Sequence, residues 1–354
     1  MTGKPISGFR VGLAAMPWSI FNRPSLQLGV LKSYVEAKTD ARVETFHLYL
    51  PVAEAIGIDR YSRIALSGWA GEALFAPLLF PEMKGPAKKL FHESFAGKNL
   101  PHPVPDFEEL VERIEACCLA WLSALEIGGY HLFGLSVCFF QLLPSLYLAR
   151  ILKGKRPDLP VVFGGSSCSG AIGRSLLEHF AEIDYLVDGE GEEALCRLSR
   201  FVAGDIDFLP ANIRSRQACS HEESTARVIM DDLPYPDYAP YFADMGRYFP
   251  HLPFIPTLPV EFSRGCSWNR CTFCNLNLQW QDYRCKKGGR MTEEILHLAA
   301  THESLSFTFA DNTLPLHEAD LFFERIAAEG LNVDFFAEMR ANTDPRRWQL
   351  YRRG

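Results

Sequence analysis

The chain has 354 residues, of which 47% are hydrophobic and 22% charged, and a formal net charge of −7. At roughly 100 to 200 residues per domain this length holds two or three domains, and the composition is that of a globular chain rather than a disordered one. The acidic balance, with Lys and Arg gathered only in short clusters such as Lys286-Lys287 and Arg346-Arg347, excludes a basic footprint for nucleic acid.

No run of about 18 apolar residues reads as a membrane span, and the N-terminal residues lack the apolar stretch of a signal peptide. The expected setting is cytoplasmic, with neither a nucleic-acid nor a membrane partner. Ten cysteines there point to reduced thiols or metal ligands rather than disulfides. Cys117, Cys118, Cys138 and Cys196 lie in apolar contexts that suit buried thiols.

In chain order, Phe9 to Met16 predicts a strand, Ser25 to Ala37 a helix with its apolar residues on one face, and Val43 to Leu50 a second strand. Residues 51–104 read as an insertion rich in aromatic residues and proline, with no clear regular elements. A helix from Asp106 to Leu125 leads to a strand over His131–Cys138, then a helix to about Lys153. A strand at 160–165 ends in glycines and is followed by a helix from Ile172 to Phe180. Tyr185 to Asp188 is a short strand and Glu192 to Val202 a helix. Strands separated by helices of 10 to 20 residues predict an α/β fold, a doubly wound parallel sheet with right-handed crossovers.

That rhythm lapses from about 205 to 256, where Asp231-Asp-Leu-Pro-Tyr-Pro-Asp-Tyr238 marks a proline-rich connector. A second β/α rhythm then begins. Its strands are Thr257–Phe262, Ser304–Phe309 and Val333–Ala337, and its helices are Thr292–Ala300, with Thr292 as N-cap, His317–Glu329 and Pro345–Arg353. The expected domains are residues 1–215 with the insertion, the connector 216–256, and 257–354. Three β/α units neither close a barrel nor cover a parallel sheet, so the expectation is a second domain truncated after its third strand.

The densest chemical signal is Ser263-Arg-Gly-Cys-Ser-Trp-Asn-Arg-Cys-Thr-Phe-Cys-Asn275, which places Cys266, Cys271 and Cys274 on one loop after a strand. Three thiolates can hold three corners of an iron–sulfur cluster and leave one iron open. A structural zinc site would want a fourth ligand, for which Cys285 and His302 are the nearest, poorly spaced candidates. Unrelated reduced thiols are a third reading.

The cysteine loop, at the C-terminal end of the first strand of a β/α series, resembles that of the radical S-adenosylmethionine (SAM) superfamily, although the first gap here is four residues rather than three. The resemblance implies a [4Fe-4S] cluster on Cys266, Cys271 and Cys274 with SAM on the open iron. It implies SAM contacts at Phe273, at Asp311 and Asn312 after the second strand, and at Glu338 and Arg340 after the third. Read without it, Phe273 is a core aromatic, Asp311-Asn312 a helix-capping turn, and Glu338 and Arg340 surface groups.

The first domain resembles the cobalamin-binding, Rossmann-like domain of one branch of that superfamily. The carrying residues are Phe133-Gly-Leu-Ser136 with Gln141, Phe163-Gly-Gly-Ser-Ser-Cys168 and Val187-Asp-Gly-Glu-Gly-Glu192. The implied cobalamin contacts are Ser136, Gln141, Gly164, Gly165, Ser166, Gly189, Glu190 and Gly191. Glycines after strand ends would let backbone approach a bulky ring, although any such turn can need one. His131 lacks the Asp of an Asp-x-His-x-x-Gly motif and reads as a strand-edge residue rather than a cobalt ligand.

Together with Pro24–Gly29, Gly71–Phe75, Ser136–Ala149, Asp231–Tyr238 and Tyr283–Lys286, these segments resemble radical SAM proteins that mature ribosomally made peptides, except that Asn275 follows the third cysteine where that group has Gly. The implied activity is C-methylation of a peptide or other natural-product precursor through a 5′-deoxyadenosyl radical and methylcobalamin, with a flavodoxin or ferredoxin as electron donor. A cobalamin and radical SAM rearrangement or cyclisation is the alternative reaction, and a catalytically incomplete cofactor-binding or peptide-binding fragment the alternative of another class. No catalytic residue beyond the cluster ligands is identifiable.

Overall fold

The computed structural model describes residues 6–96, 103–216, 220–222, 227–252, 254–274 and 282–353. The chain forms two compact units. One comprises Met1–Phe21, Tyr34–Ala226 and Pro240–His251, and the other Asn22–Ser33, Arg227–Ala239 and Leu252–Gly354.

The first unit is built on a six-stranded sheet. Its strands are β1 (Arg10–Ala15), β2 (Arg42–His47), β3 (Leu132–Ser136), β4 (Val161–Gly164), β5 (Tyr185–Val187) and, beyond the short β6 (Phe208–Pro210), β7 (Ile213–Ser215). Their order is β2-β1-β3-β4-β5-β7, parallel throughout except for the antiparallel edge strand β7. β6 pairs separately with β8 (Ser220–Glu222). The central strands are buried on both faces, as near-continuous apolar runs such as Val161-Val-Phe require of a parallel sheet covered by helices. Small residues oppose large ones across β1 and β3: Gly12 pairs with Phe133 and Leu13 with Gly134, and a Cβ on Gly12 would lie 2.5 Å from the Phe133 ring.

Helix ends follow local chemistry. Asp106 accepts the Glu109 N–H at 2.8 Å and so caps the helix Phe107–Ala124. The insertion is regular where the structure describes it, forming helices Tyr49–Ile56, Ile58–Ala65, Ala70–Leu79 and Lys84–Glu93. It also supplies a cap that the helix Leu142–Lys155 lacks of its own. The buried Glu72 carboxylate accepts the N–H groups of Leu142 and Leu143, both at 2.8 Å, and so meets the positive end of that helix. Gly71 is required beside it, because any Cβ there would collide with the Trp18 indole.

The second unit holds three parallel strands in the order β13-β12-β9: β9 (Leu258–Val260), β12 (Ser306–Phe309) and β13 (Asp334–Phe336). Phe262, Phe309 and Phe335 stack along one face and meet Phe322 of the helix Leu316–Glu329 at ring separations of 5.5 to 5.9 Å. The proline-rich segment belongs to this core rather than hanging between units. Tyr238 donates to the Pro259 carbonyl at 2.5 Å, and Tyr235 stacks on His297 while Arg290 covers its ring at 4.0 Å.

One helix begins earlier than its sequence suggests. It spans Gly288–His302, so Thr292 is not its N-cap but sits one turn inside, donating its hydroxyl to the Gly288 carbonyl at 2.9 Å. Gly288 allows the start: its N–H reaches Glu318 Oε2 at 2.7 Å, and a Cβ would lie 2.5 Å from the Glu318 carbonyl. Among the described residues no helix is long and apolar enough to cross a membrane.

Candidate functional site

In the second unit the cysteine loop hangs from a two-stranded neck just after β9. β10 (Ser263–Arg264) pairs antiparallel with β11 (Arg284–Cys285). Three anchors fix the neck. Arg264 grips Glu261 through two bonds of 2.9 Å, the Lys286 N–H donates to the Phe262 carbonyl at 2.8 Å, and the Asp311 carboxylate crosses from the end of β12.

Asp311 is buried, with Oδ2 accepting the Phe262 N–H at 2.9 Å and Oδ1 the Ser263 hydroxyl at 2.5 Å. Burial, offset in part by those hydrogen bonds, pushes its carboxyl up to about 7. Asp311 thus ties the first two strand ends together, with both oxygens engaged within the protein. Below the neck, Lys286 and Glu294 form a buried pair at 2.7 Å.

Beyond the neck, Cys266, Cys271 and Cys274 are free, half-exposed thiols, and the Cys274 N–H donates to the Cys271 carbonyl at 3.3 Å. Among the described residues no three His, Cys, Asp or Glu side chains converge as a metal site, so the loop carries the three sulfurs without gathering them. The donor set suits a cluster with one open iron. Of the two further zinc-ligand candidates, Cys285 is half-buried in the neck opposite Ser263, its thiol pushed up by burial and then by nearby carboxylates. His302 ends the far turn of its helix, beside Tyr238.

The remaining loop groups divide. Phe273 is 91% exposed, so its ring is not part of the core. Arg340 lies over the Trp268 ring at 4.3 Å, with Arg270 at 5.3 Å, which connects the segment after β13 to the cysteine loop. Trp268 carried no signal in the sequence beyond its place between the cysteines. Glu338 is exposed and its carbonyl accepts the Leu314 N–H at 3.3 Å, while Asn312 is half-buried. Asn275 lies outside the described residues.

In the first unit the glycine-bearing turns follow β4 and β5 at the C-terminal rim of the parallel strands, the same rim on which strand order reverses between β1 and β3. Open α/β sheets bind ligands at that place. Ser136 and Gly164 are paired at the ends of β3 and β4. Gly165 has φ +106 and lies so close to Val137 that a Cβ would be 2.6 Å from its carbonyl oxygen, so the turn admits only glycine. Ser166 opens the short helical turn that follows, Gly189 has φ +95 with open space around it, and Glu190 and Gly191 lead into the helix Glu192–Val202.

Gln141 is buried and structural. Its amide nitrogen donates to the Met16 carbonyl and to Ser19 Oγ at 2.8 Å, and its oxygen accepts the Cys138 N–H at 3.0 Å. It thereby staples the exits of β1 and β3 across the reversal point. His131 sits at the opposite end of the sheet, accepting the Arg10 N–H at 3.0 Å and stacking on Phe9, as a strand-edge residue would. Cys118, Cys168 and Cys196 are buried, and burial raises the thiols of Cys168 and Cys196 to about 12, which leaves them inert.

No family model matches the chain. It is 26% identical over 257 residues, 71% of its length, to the anaerobic magnesium-protoporphyrin IX monomethyl ester cyclase of Synechocystis sp.. It is 26% identical over 213 residues, 58% of its length, to the hopanoid C-3 methylase of Methylococcus capsulatus. Solved structures of the cobalamin-dependent S-adenosylmethionine radical enzyme OxsB, with aqua-cobalamin or with aqua-cobalamin and S-adenosylmethionine bound, align over 97% of the chain with a TM-score of 0.62 and 16% identity. The chain spans 49%, 39% and 41% of the length of these three proteins. The likeness to OxsB fits the α/β fold described above.

Proposed function

We propose that this protein is a cobalamin-dependent radical SAM enzyme whose reaction is C-methylation of a peptide or other natural-product precursor. The observation that carries the proposal is the loop of three free cysteines on a braced neck after the first strand of a parallel sheet, in a chain that also holds a glycine-cleared sheet rim. The hopanoid C-3 methylase relative supports methylation, and the peptide substrate rests on the sequence resemblance alone. When bound, the [4Fe-4S] cluster, SAM and cobalamin would supply the radical and methyl-transfer chemistry.

The chain's own residues bind and orient. Cys266, Cys271 and Cys274 would hold three irons, and the Arg264–Glu261 and Asp311 anchors fix where the loop leaves the sheet. Arg340 and Arg270 steady Trp268 between the first two cysteines. Ser136, Gly164, Gly165, Ser166 and Gly189 to Gly191 would line the cobalamin. An external flavodoxin or ferredoxin would deliver the electron.

A cyclisation is the second reading, favoured by the magnesium-protoporphyrin cyclase relative, which is similar over the larger share of the chain. Anaerobic reconstitution of the 354-residue protein tests both. The expected result is about four irons per chain, lost on changing the three cysteines to serine, together with deoxyadenosine and a product gain of about 14 Da per event. Deoxyadenosine with ring closure and no added mass would move the assignment to the second reading. Absence of iron after reconstitution would remove both.

A further inference from the structure

Beside the exit of β3, two aromatic rings stand largely in water and a third, half-buried, joins them. Phe139 is 72% exposed and Trp69 60% exposed, and Phe140 bridges them, meeting Trp69 edge-on at 5.4 Å and Phe139 at 6.4 Å. Single exposed apolar residues are ordinary, whereas a contiguous aromatic set drawn from two segments 70 residues apart in sequence marks a contact surface.

The backbone beneath it is strained. Phe140 has φ +62, a conformation disfavoured for a bulky L residue. Its neighbours impose it: Gln141 is held by its staple, and the Gln141 N–H donates to the Cys138 carbonyl at 3.2 Å. The strained turn presents Phe139 outward rather than folding it into the core.

The rings border the glycine-cleared rim. Phe139 follows two residues after Val137, whose carbonyl abuts Gly165 and accepts the Ser167 N–H at 3.1 Å. A small polar ligand would gain little from such a surface. A broad, flat macrocycle with an apolar face matches both the rings and the cleared backbone.

We infer that Trp69, Phe139 and Phe140 form an apolar wall against which the corrin macrocycle lies, an inference that rests on the cobalamin reading above. Phe139→Ala and Trp69→Ala should each weaken binding of hydroxocobalamin to the full chain about tenfold, the share of aromatic burial expected for one ring at such a wall. Trp69→Tyr, which keeps a ring, should restore affinity to within about threefold of the unchanged protein. Leu119→Ala, an exposed apolar residue on the helix Phe107–Ala124, should leave it unaltered.

Absorbance titration reads the affinity, and far-UV circular dichroism confirms that each variant is folded. If the unchanged protein binds hydroxocobalamin and both alanine variants bind it equally well, the wall is overturned while the cofactor reading stands. If the unchanged protein binds none, the cofactor reading fails and takes the wall with it. Self-association abolished by the two alanine variants at constant affinity would overturn the wall as well, by making it a contact between copies.

Discussion

Asp311 shows how one carboxylate can couple proton uptake to the geometry of a loop. Burial, with Glu261 adding like charge, holds its carboxyl up to about 7, well above the ordinary value of about 3.9. The folded chain therefore binds this proton more tightly than the unfolded chain. The stability linked to it is fully present below about pH 4 and is lost as pH rises through about 7. Asp311→Asn keeps an acceptor for the Phe262 N–H and offers Ser263 a donor, but it cannot titrate. Between pH 5 and pH 8 the melting temperature of the unchanged protein should fall more than that of Asp311→Asn, by the equivalent of roughly 1 to 4 kcal/mol. Thermal melts at the two pH values check this, and equal slopes would show that the carboxylate does not carry the linkage.

Among the elements, the helix Gly288–His302 depends on a buried ion pair beneath the cysteine loop. Lys286 is 3% exposed and Glu294 fully buried, with Arg290 farther off at 3.7 Å. Lys286→Met should cost about 3 kcal/mol, because it leaves the Glu294 charge in the core with one distant partner. Lys286→Met combined with Glu294→Leu should recover most of that loss, since Arg290 keeps the Asp231 and Leu233 carbonyls and the Tyr235 ring. Chemical denaturation of the single and double variants gives both numbers, and a double variant no more stable than the single one would contradict the account. The central strands of the first sheet were legible in the sequence because parallel strands buried on two faces, such as β3 and β4, read as apolar runs. The three strands of the second sheet followed from their alternation with helices, whereas the edge strand β7 lies where that rhythm lapses. The start of this helix was not legible, since Gly288-Gly289 reads as a loop until Glu318 is seen to cap it. The role of Glu72 was hidden for the same kind of reason: it caps a helix 70 residues away, which leaves no local signature. The cysteines could be found from spacing alone. The engagement of Asp311 within the neck, and the stacking of Arg340 on Trp268, required contacts made only once the strands align.

Across the whole molecule, each candidate site has described braces within its own unit. The cysteine loop is braced by Glu261, Asp311 and the neck strands, all in the second unit, whereas the glycine rim is braced by Val137, Gln141 and Met16 in the first. Loading of the two cofactors should therefore be separable within the intact chain. A triple change of Cys266, Cys271 and Cys274 to serine should abolish iron uptake and leave hydroxocobalamin affinity within about twofold of the unchanged protein, because no described brace of the rim involves the loop. Gly165→Val tests the converse. At φ +106, with Val137 oxygen 2.6 Å from any Cβ, a branched side chain must displace the exits of β3 and β4. It should weaken hydroxocobalamin binding at least about tenfold while iron content stays near four per chain. Iron analysis and absorbance titration on the same preparations measure both. Parallel loss of iron and cobalamin in either variant would mean that the two sites are built as one, and that the braces within each unit are insufficient to hold its cofactor.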